Sequence, residues 1–362
     1  MRVAIDATAV VAGDTGVARY VSMLLRELAL HDDLDVVPFA IGRGAPPPPG
    51  VRRIRLPLRI VHRSWKHLDW PHAERLVGDV DVVHAPDMIP PPTTSPLVMT
   101  LHDVLPMRLP HLYSQRARRI AASGLAAAAR CSVVVCDCNA VARDVAEALG
   151  RPLEDIVVAP PGPLAPPAAV PPAPAPDHFS PVAEPFVLAV GSLTPRKGFD
   201  IAATALARLR EEGHDAPLLV VAGPDGWRAD EVRRSVEGAL GPRVRFLGRV
   251  GDDALAGLYG HALALVHPSL AEGFGMPVLE ALAAGTPVVA TDIPPVREVA
   301  GEAAALVPVN DADALAQALR EVIDDEGRRA RMVVAGHERA SAYSWARTAA
   351  TVADAYLRAA AS

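Results

Sequence analysis

Residues 262–292 read ALALVHPSLAEGFGMPVLEALAAGTPVVATD, and this stretch predicts a strand, a loop, a helix and a second strand. The apolar run that ends near Ser269 predicts a buried strand, and the run PVVATD predicts another. Between them lies a glycine-rich loop, and Pro277 and Gly285 suit the first position and the C-terminal cap of a helix. Because both strands are apolar throughout, they predict a parallel sheet covered by helices on both faces.

The same alternation extends along the whole chain. Further strand-like runs are RVAID, VVPFAI, DVVHAP, LVMTLHD, SVVVCD and IVVAPPG in the first half, and FVLAVGS, LLVVAG, RVRFLG and ALVPV in the second. Amphipathic segments separate them, and the proline- and alanine-rich stretch at 160–176 divides the two halves. This organisation predicts an α/β fold with two Rossmann-like, doubly wound parallel-sheet domains.

Composition limits the classes of protein to consider. The chain has 362 residues, of which 50% are hydrophobic and 22% charged, a balance that favours two globular domains. No apolar run reaches the roughly 18 residues of a membrane-spanning helix. The first strand begins directly after Met1, which predicts no signal peptide and a cytoplasmic location. Cys131, Cys136 and Cys138 form one odd-numbered group, which predicts buried thiols and neither a disulfide framework nor a zinc site. No sequence feature indicates nucleic-acid recognition.

Residues 186–200, FVLAVGSLTPRKGFD, predict an anion site. A strand ends at Gly191, and Arg196 and Lys197 then precede a helix that begins near Asp200. Two adjacent cations beside helix N–H groups suit a diphosphate. The lysine precedes the glycine, so the segment is not a P-loop. The alternative is a solvated Arg-Lys pair in a surface loop.

Two carboxylates follow at the same predicted sheet edge. Glu272 lies in the glycine-rich loop, and Glu280 falls in the predicted first turn of the next helix. Ionised carboxylates accept hydrogen bonds, so this pair can hold hydroxyl groups at two points of an extended ligand. Gly273 and Gly275 allow backbone N–H groups to approach a sugar ring closely. A carboxylate that only complements the helix dipole is an alternative for Glu280, and it leaves Glu272 unexplained.

These segments resemble glycosyltransferase family 4, the retaining enzymes of the GT-B fold. The spacing of Glu272 and Glu280 and the segment VGSLTPRKG carry the resemblance most specifically. It extends over nearly the whole chain through RVAIDATAVVAGDTGVARYV, VMTLHDVLP, RVRFLGRVGDDALAGLYGHA and YSWARTAATVADAYL. The implied fold has two Rossmann-like domains that face each other across a cleft. Its implied parts are an acceptor-binding domain at 1–163, a linker at 164–178, a donor-binding domain at 179–344, and a terminal crossover helix at about 345–362 that packs on the first domain.

The resemblance also implies a role for each motif residue. Arg196 and Lys197 neutralise the diphosphate leaving group, Glu272 holds a sugar hydroxyl, and Glu280 binds the ribose. The implied catalytic residues are Arg196, Lys197, His102 and Glu272. The implied donor-binding residues are Gly16, Gly191, Arg196, Lys197, Glu272, Gly273, Phe274, Gly275 and Glu280.

Two of these residues belong to the N-terminal half. Gly16, in the predicted loop after the first strand, passes close to the phosphates. His102, at a strand end before Asp103, contacts the donor sugar near the reacting carbon, although a lone histidine of this kind is often structural. Many relatives have a Ser-Glu pair where this chain has Cys138 and Asn139, so no role is assigned to that pair.

The implied reaction is retaining transfer of a hexose from a nucleoside-diphosphate sugar to a glycan, lipid-linked or small-molecule acceptor, which forms an α-glycosidic bond. GDP-mannose is favoured because VMTLHDVLPMRLP and VGSLTPRKG are most similar to the mannosyltransferase-like branch, and UDP-glucose and UDP-N-acetylglucosamine stay open. The alternatives are a GT-B sugar-nucleotide epimerase or phosphorylase, and a catalytically silent nucleotide-sugar-binding protein. The phosphorylase would need a cofactor lysine that no motif provides.

Metal binding and membrane contact are two further questions. The Asp-x-Asp triplets at 33–35, 79–81 and 311–313 lie in predicted turns or at a helix start, which favours structural roles, and neither a metal nor a cofactor is predicted. The segments 51–67 and 114–130 are basic and partly apolar. They are either solvated basic helices or a surface that contacts an anionic membrane from the cytoplasmic side.

Overall fold

The computed structural model describes residues 1–13, 15–44, 46–164 and 184–362. Of the linker predicted at 164–178, all but Leu164 lies outside the described residues. The chain forms two compact units, one comprising Met1–Gly162 with Ser344–Ser362 and the other comprising Pro163–Tyr343. Each unit has its own parallel sheet.

The first unit alternates strands and helices as predicted. Its strands are β1 (Arg2–Asp6), β2 (Asp35–Ile41), β3 (Arg52–Ile54), β4 (Val82–Ala85), β5 (Leu97–Leu101), β6 (Val133–Cys136) and β7 (Ile156–Val158). Its helices are α1 (Thr8–Ala12), α2 (Gly16–Leu28), α3 (Leu58–Leu68), α4 (Ala73–Val77), α5 (Leu105–Arg108), α6 (Gln115–Ala128), α7 (Asn139–Leu149) and the C-terminal α15 (Trp345–Ala360). The strand order is β3-β2-β1-β4-β5-β6-β7, with parallel pairing throughout the residues described.

Strand β3 was not predicted from the sequence. It pairs with β2, with Phe39 opposite Arg52 and Ile41 opposite Ile54. Its sequence, RRI, is short and charged, which hides the strand from an apolar-run criterion but suits the edge of a sheet. Helix α3 follows it and buries Val61 against the sheet core.

The C-terminal helix α15 belongs to the first unit. It buries Trp345, Val352 and Tyr356 along one face, at the spacing of an amphipathic helix. The Tyr356 hydroxyl lies 2.8 Å from His84 Nδ1, so the helix also makes a buried polar contact with β4. The Thr348 hydroxyl donates to the Pro160 carbonyl oxygen at 2.6 Å.

The second unit repeats the pattern after the linker. Its strands are β8 (Phe186–Val190), β9 (Leu218–Ala222), β10 (Val244–Gly248), β11 (Ala264–His267), β12 (Val288–Thr291) and β13 (Ala304–Val307). Its helices are α8 (Phe199–Glu211), α9 (Ala229–Leu240), α10 (Asp252–His261), α11 (Met276–Ala284), α12 (Pro294–Ala300), α13 (Ala312–Asp324) and α14 (Glu326–Ala340). The parallel strands run in the order β10-β9-β8-β11-β12-β13.

Each sheet reverses its direction of growth once. In the second unit the chain builds outward from β8 to β10 and then places β11 on the other side of β8. In the first unit the corresponding reversal lies between β1 and β4. Ligands of open parallel sheets bind at the carboxyl ends of the strands beside such a reversal. The loops after β8 and β11 are therefore the first place to look for a site.

Several polar residues have the structural roles that the sequence predicted. The Asp311 carboxylate caps α13 by accepting from Ala314 N at 2.9 Å. Asp81 Oδ2 accepts from the backbone N–H of Arg2 at 2.7 Å, and the Arg2 side chain lies 3.3 Å from the Asp35 carboxylate. The three cysteines are free thiols and buried. Within the described part of the chain, no helix is both long enough and apolar enough to cross a membrane.

Candidate functional site

The loop after β8 brings two cations to the carboxyl end of that strand. Residues Pro195–Lys197 form a short 3-10 turn, and α8 begins directly after Gly198. Gly191, at φ 148°, ends the strand, and a Cβ atom built there would lie 2.8 Å from Lys197 Cε. A glycine at this position therefore allows the Lys197 stem to lie across the strand end, where the lysine is only 7% exposed.

The loop after β11 leads into helix α11. Gly275 is the N-cap at φ 102°, a backbone conformation that favours glycine, and Met276 is the first helical residue. The prediction that placed Pro277 first and Glu280 in the first turn is wrong by position, because the helix begins one residue earlier and no acidic residue lies in its first turn. Glu280 occupies the second turn and is buried.

A buried carboxylate joins these two loops. Glu272 Oε1 accepts from Lys197 Nζ at 2.5 Å and from the Ser269 hydroxyl at 2.7 Å, and its Oε2 accepts from Arg196 Nη1 at 2.8 Å. Arg196 also donates to the Ala271 carbonyl oxygen. The backbone N–H of Leu270 donates to the Arg196 carbonyl at 2.8 Å, so main chain and side chains hold the loops together.

His267, at the end of β11, completes this cluster and was not assigned from the sequence. Its Nε2 lies 3.2 Å from Glu272 Oε1, and its side chain is only 2% exposed. Burial lowers the pKa of His267, and the neighbouring Lys197 and Arg196 lower it further, while Glu272 opposes them. The imidazole is therefore neutral at neutral pH and adds a hydrogen-bonding group without adding charge. The sequence signal that could have identified it is its place at the end of an apolar run, directly before Pro268 and Ser269.

The cluster carries an excess of positive charge. Burial alone would raise the pKa of Glu272, but Lys197 and Arg196 hold it well below its ordinary value. Burial also lowers the pKa of Lys197, and Glu272 opposes that shift. Two cations beside one carboxylate leave one net positive charge in a desolvated place. Such a charge attracts an anion more strongly than the same charge would in water.

Glu280 belongs to a second buried contact. Its Oε2 accepts from the Tyr259 hydroxyl at 2.9 Å, and Tyr259 comes from α10. The Tyr259 carbonyl in turn accepts from the Thr286 hydroxyl at 2.7 Å, which ties α10 to the segment after α11. Tyr259 lies in the motif RVRFLGRVGDDALAGLYGHA, but the sequence predicts no role for it, because only the fold brings α10 beside α11.

The Tyr259→Phe variant is expected to lose about 1–3 kcal/mol of unfolding free energy, because the buried Glu280 side chain then loses one hydrogen-bond donor. If Glu280 contacts the donor, the dissociation constant for that donor should also rise several-fold. Urea unfolding and calorimetric donor titration measure the two effects. Tyr343→Phe is the matched control for donor affinity: its hydroxyl accepts from Arg339 and donates to the Glu298 carbonyl oxygen, so its loss should lower stability without changing donor affinity. Unchanged stability and donor affinity in Tyr259→Phe would contradict the role of this contact.

The remaining residues predicted for this site lie in the same loop or beside it. Gly273 and Gly275 flank Phe274, whose ring is buried and packs edge-on against Tyr343 at a centroid distance of 6.0 Å. The buried Phe274 ring thus anchors the loop and holds its backbone near the carboxyl end of β11. The structure brings Arg196, Lys197 and Glu272 into direct contact, with Gly191 below the lysine.

Gly16 and His102 belong to the first unit. Gly16 was predicted to lie in the loop after the first strand. That prediction is wrong, because the short helix α1 follows the strand and Gly16 is the first residue of α2, after the N-cap Thr15. His102 follows β5, and its Nδ1 lies 2.7 Å from Asp137 Oδ2. Asp137 was not assigned, although it follows the run SVVVC at the next strand end. Within the described residues, no three His, Cys, Asp or Glu side chains form a group that could hold a metal ion.

Comparison with known families matches both halves of the chain. The model for Glycosyltransferase Family 4 matches residues 15–162, and the model for Glycosyl transferases group 1 matches residues 175–339. The O-antigen chain mannosyltransferase B of Escherichia coli is 33% identical over 172 residues, which are 47% of this chain and 45% of that protein. The phosphatidyl-myo-inositol mannosyltransferase of Mycolicibacterium smegmatis is 38% identical over 165 residues, 45% of this chain and 42% of that protein. The matches thus span less than half the length of these relatives.

Solved structures are similar over almost the whole chain. Sucrose-phosphate synthase from Thermosynechococcus elongatus superposes with a TM-score of 0.78 at 23% identity, covering 99% of this chain and 98% of that one. The Anabaena protein HepE, in complex with UDP and glucose, superposes with a TM-score of 0.73 at 19% identity, covering 98% and 99%. These likenesses concern the fold. With both parallel-sheet units and both family models in place, the chain belongs to glycosyltransferase family 4 and has the GT-B fold.

Proposed function

We propose that this protein is a retaining glycosyltransferase that moves a hexose from a nucleoside-diphosphate sugar to a glycan, lipid-linked or small-molecule acceptor. The observation that carries the proposal is the buried cluster of Arg196, Lys197 and Glu272 at the reversal of the second sheet. Its one net positive charge suits the diphosphate of a sugar nucleotide. The curated relatives named as mannosyltransferases support a transfer reaction of this class.

The proposed chemistry is governed by charge. The bond between the anomeric carbon and the phosphate oxygen breaks, and the nucleoside diphosphate leaves with the electron pair. The acceptor hydroxyl oxygen attacks the same face of that carbon, and its proton passes to the leaving phosphate. Arg196 and Lys197 stabilise the negative charge that develops on the diphosphate. Glu272 orients both cations and accepts from a sugar hydroxyl, and Glu280 binds the ribose.

GDP-mannose is the favoured donor, with the mannose joined through an α-glycosidic bond. The names of the relatives favour mannose, whereas the Anabaena protein was solved with UDP-glucose. The choice between GDP and UDP donors therefore needs a direct measurement. No cofactor and no metal take part in the proposed reaction, because two protein cations supply the charge that a metal would supply.

A thermal-shift screen tests the donor. The protein is heated with GDP-mannose, UDP-glucose or UDP-N-acetylglucosamine, and the true donor should raise the melting temperature by mass action. A transfer assay with the stabilising donor, with and without EDTA, should show equal rates in both conditions. Formation of an epimerised nucleotide sugar would favour the epimerase instead. A donor that binds but is neither transferred nor hydrolysed would favour a catalytically silent binding protein. Loss of activity in EDTA would contradict the metal-independent mechanism.

We also propose that the first unit contacts an anionic membrane surface through α3 and its flanks. Helix α3 buries Val61 and Trp65 and turns its other face outward, where Ile60 is 65% exposed. Leu68 and Trp70, at the end of the helix and just beyond it, are 72% and 62% exposed. Exposed cations of the same segment accompany these apolar side chains: Arg55, Arg59, Arg63 and Lys66. This mixture of exposed apolar and basic side chains suits the headgroup region of an anionic bilayer.

Vesicle cosedimentation tests the membrane proposal. Binding should be stronger to vesicles with anionic lipid than to neutral ones, and it should fall with added salt. The double variant Arg59→Glu/Arg63→Glu should lose most of the binding, whereas Arg210→Glu/Arg245→Glu reverses two exposed cations of the second unit and should retain it. Equal binding by both variants would contradict this surface. The predicted cytoplasmic location stays a prediction.

A further inference from the structure

A histidine–carboxylate pair lies at the carboxyl edge of the first sheet. His102 follows β5 and Asp137 follows β6, and these strands are neighbours. The His102 Nδ1 atom lies 2.7 Å from Asp137 Oδ2, and Asp137 is only 5% exposed. A hydrogen bond of this length to a buried carboxylate fixes both the position and the orientation of the ring.

Both nitrogens of the His102 ring face oxygen acceptors. Nδ1 faces the Asp137 carboxylate, and Nε2 lies 3.3 Å from the Pro86 carbonyl oxygen. A neutral imidazole donates from only one nitrogen, whereas the imidazolium donates from both. The positions of the acceptors therefore suit the protonated ring.

Aromatic packing holds the ring from the side. The Tyr20 ring lies edge-on to His102, with a centroid distance of 4.7 Å and an interplanar angle of 76°. Tyr20 itself packs edge-on against Trp345 of α15 at 5.7 Å. The ring of His102 thus has little freedom to turn away from Asp137.

The second oxygen of Asp137 strengthens the case for an ionic pair. Among the described residues, Asp137 Oδ1 is buried without a hydrogen-bond partner. An ionised carboxylate in this condition needs a nearby positive charge to offset its desolvation, and His102 is placed to provide it.

The carboxylates around the ring all act in the same direction. Burial would lower the pKa of His102, but Asp137, Asp87 and Asp103 raise it to about 9. His84, in β4, lies 2.8 Å from the Thr100 hydroxyl, and burial lowers its pKa to about 3, so it places no positive charge beside His102 at neutral pH. These two histidines therefore differ in charge at neutral pH.

We propose that Asp137 is a positioning residue that holds His102 as an imidazolium, so that His102 presents a fixed positive charge to a bound substrate and does not act as a general base. This inference rests on the proposed function and refines it. An imidazolium has no lone pair with which to remove the acceptor proton. That proton must go elsewhere, which agrees with its proposed transfer to the leaving phosphate.

Nuclear magnetic resonance of protein labelled with ¹⁵N-histidine tests the charge state without any substrate. The His102 signals, assigned by their loss in His102→Gln, should show both nitrogens protonated at pH 7 and should titrate well above the ordinary range. In Asp137→Asn the titration should move down to about 6.5 or below, the ordinary histidine pKa or less. A wild-type His102 that titrates near its ordinary pKa would overturn the inference.

The pH profile of transfer provides the second arm. In Asp137→Asn, kcat/KM should fall at least tenfold at pH 8 and much less at pH 6, because acid protonates His102 again. Asp137→Glu should restore part of the rate. Asp144→Asn is the matched control, because that carboxylate pairs with Arg108 and should leave the profile unchanged. A loss of the same size at both pH values would indicate only a structural role and would overturn the inference.

The two arms separate the possible failures. If the wild-type protein transfers no sugar from any donor, the proposed function fails, while the spectra still decide the state of His102. If Asp137→Asn does not fold, the wild-type titration and the Asp137→Glu variant decide the question. A folded Asp137→Asn variant with an unchanged His102 titration would show that the carboxylate does not hold the charge.

Discussion

Replacing Lys197 by alanine is expected to lower the turnover of glycosyl transfer by at least about 100-fold, the typical effect of removing one preorganised charge-stabilising group. The variant removes one of the two cations beside Glu272, so the net charge of the cluster falls from one positive charge to zero. Arg196 still contacts the Glu272 carboxylate at 2.8 Å, so the buried carboxylate keeps a countercharge in the variant. The loss should therefore appear in kcat with the preferred donor and acceptor, measured on folded protein.

The control for this prediction is Arg210→Ala, which removes an exposed cation near the end of the helix that follows the lysine. It should leave turnover unchanged. Lys197→Arg keeps the charge but places a larger group against Gly191, so it should recover only part of the rate. Near-normal turnover in a folded Lys197→Ala protein would remove the lysine from the proposed mechanism.

Replacing Glu272 by glutamine is expected to have the largest effect on stability. The amide keeps the size of the side chain but leaves Lys197 and Arg196 without their buried countercharge. Breaking a buried ion pair in this way costs on the order of 3–5 kcal/mol. Transfer should also fall by at least tenfold, because the two cations lose their fixed orientation. Urea unfolding at pH 7 measures the first effect, and Glu211→Gln, an exposed carboxylate on α8, is the control.

The pH dependence of stability provides a separate test of Glu272. Its pKa in the folded protein is well below the ordinary value. Its contribution to stability is therefore complete above the pKa of about 4.3 in the unfolded chain and is lost as pH falls toward the folded pKa. The wild-type protein should lose stability below that pH more steeply than Glu272→Gln. Parallel curves for the two proteins would show that the carboxylate is not held by the cations.

Much of the fold was predictable because its signals are local. Each predicted apolar run became a strand, since a strand buried on both faces must be apolar along its length. The edge strand β3 (Arg52–Ile54) escaped prediction because it is short and charged and contains no apolar run. The start of α11 also differs from the prediction. The helix begins at Met276, one residue before Pro277, because Gly275 adopts a left-handed conformation as its N-cap.

The residues of the candidate site also fall into those that local motifs predict and those that only the fold brings together. Arg196, Lys197, Glu272 and Glu280 were predicted because each lies in a motif at a strand end or helix start. His267 and Tyr259 were not, because their contacts join segments that are separate in the sequence. Asp137 has no local signal that distinguishes it from a solvated carboxylate.

The sequence by itself determined the alternation of strands and helices, the two-domain α/β architecture and the charged motif of the proposed anion site, because periodicity and residue type are local properties. Only the tertiary structure decided that Glu272 joins both cations, that Tyr259 contacts Glu280, and that His102 pairs with Asp137. Each of these contacts forms where parallel strands or packed helices bring distant segments together. Burial removes water from these contacts, so the charge state of each side chain depends on its neighbours in space. The sequence does not show which residues those neighbours are.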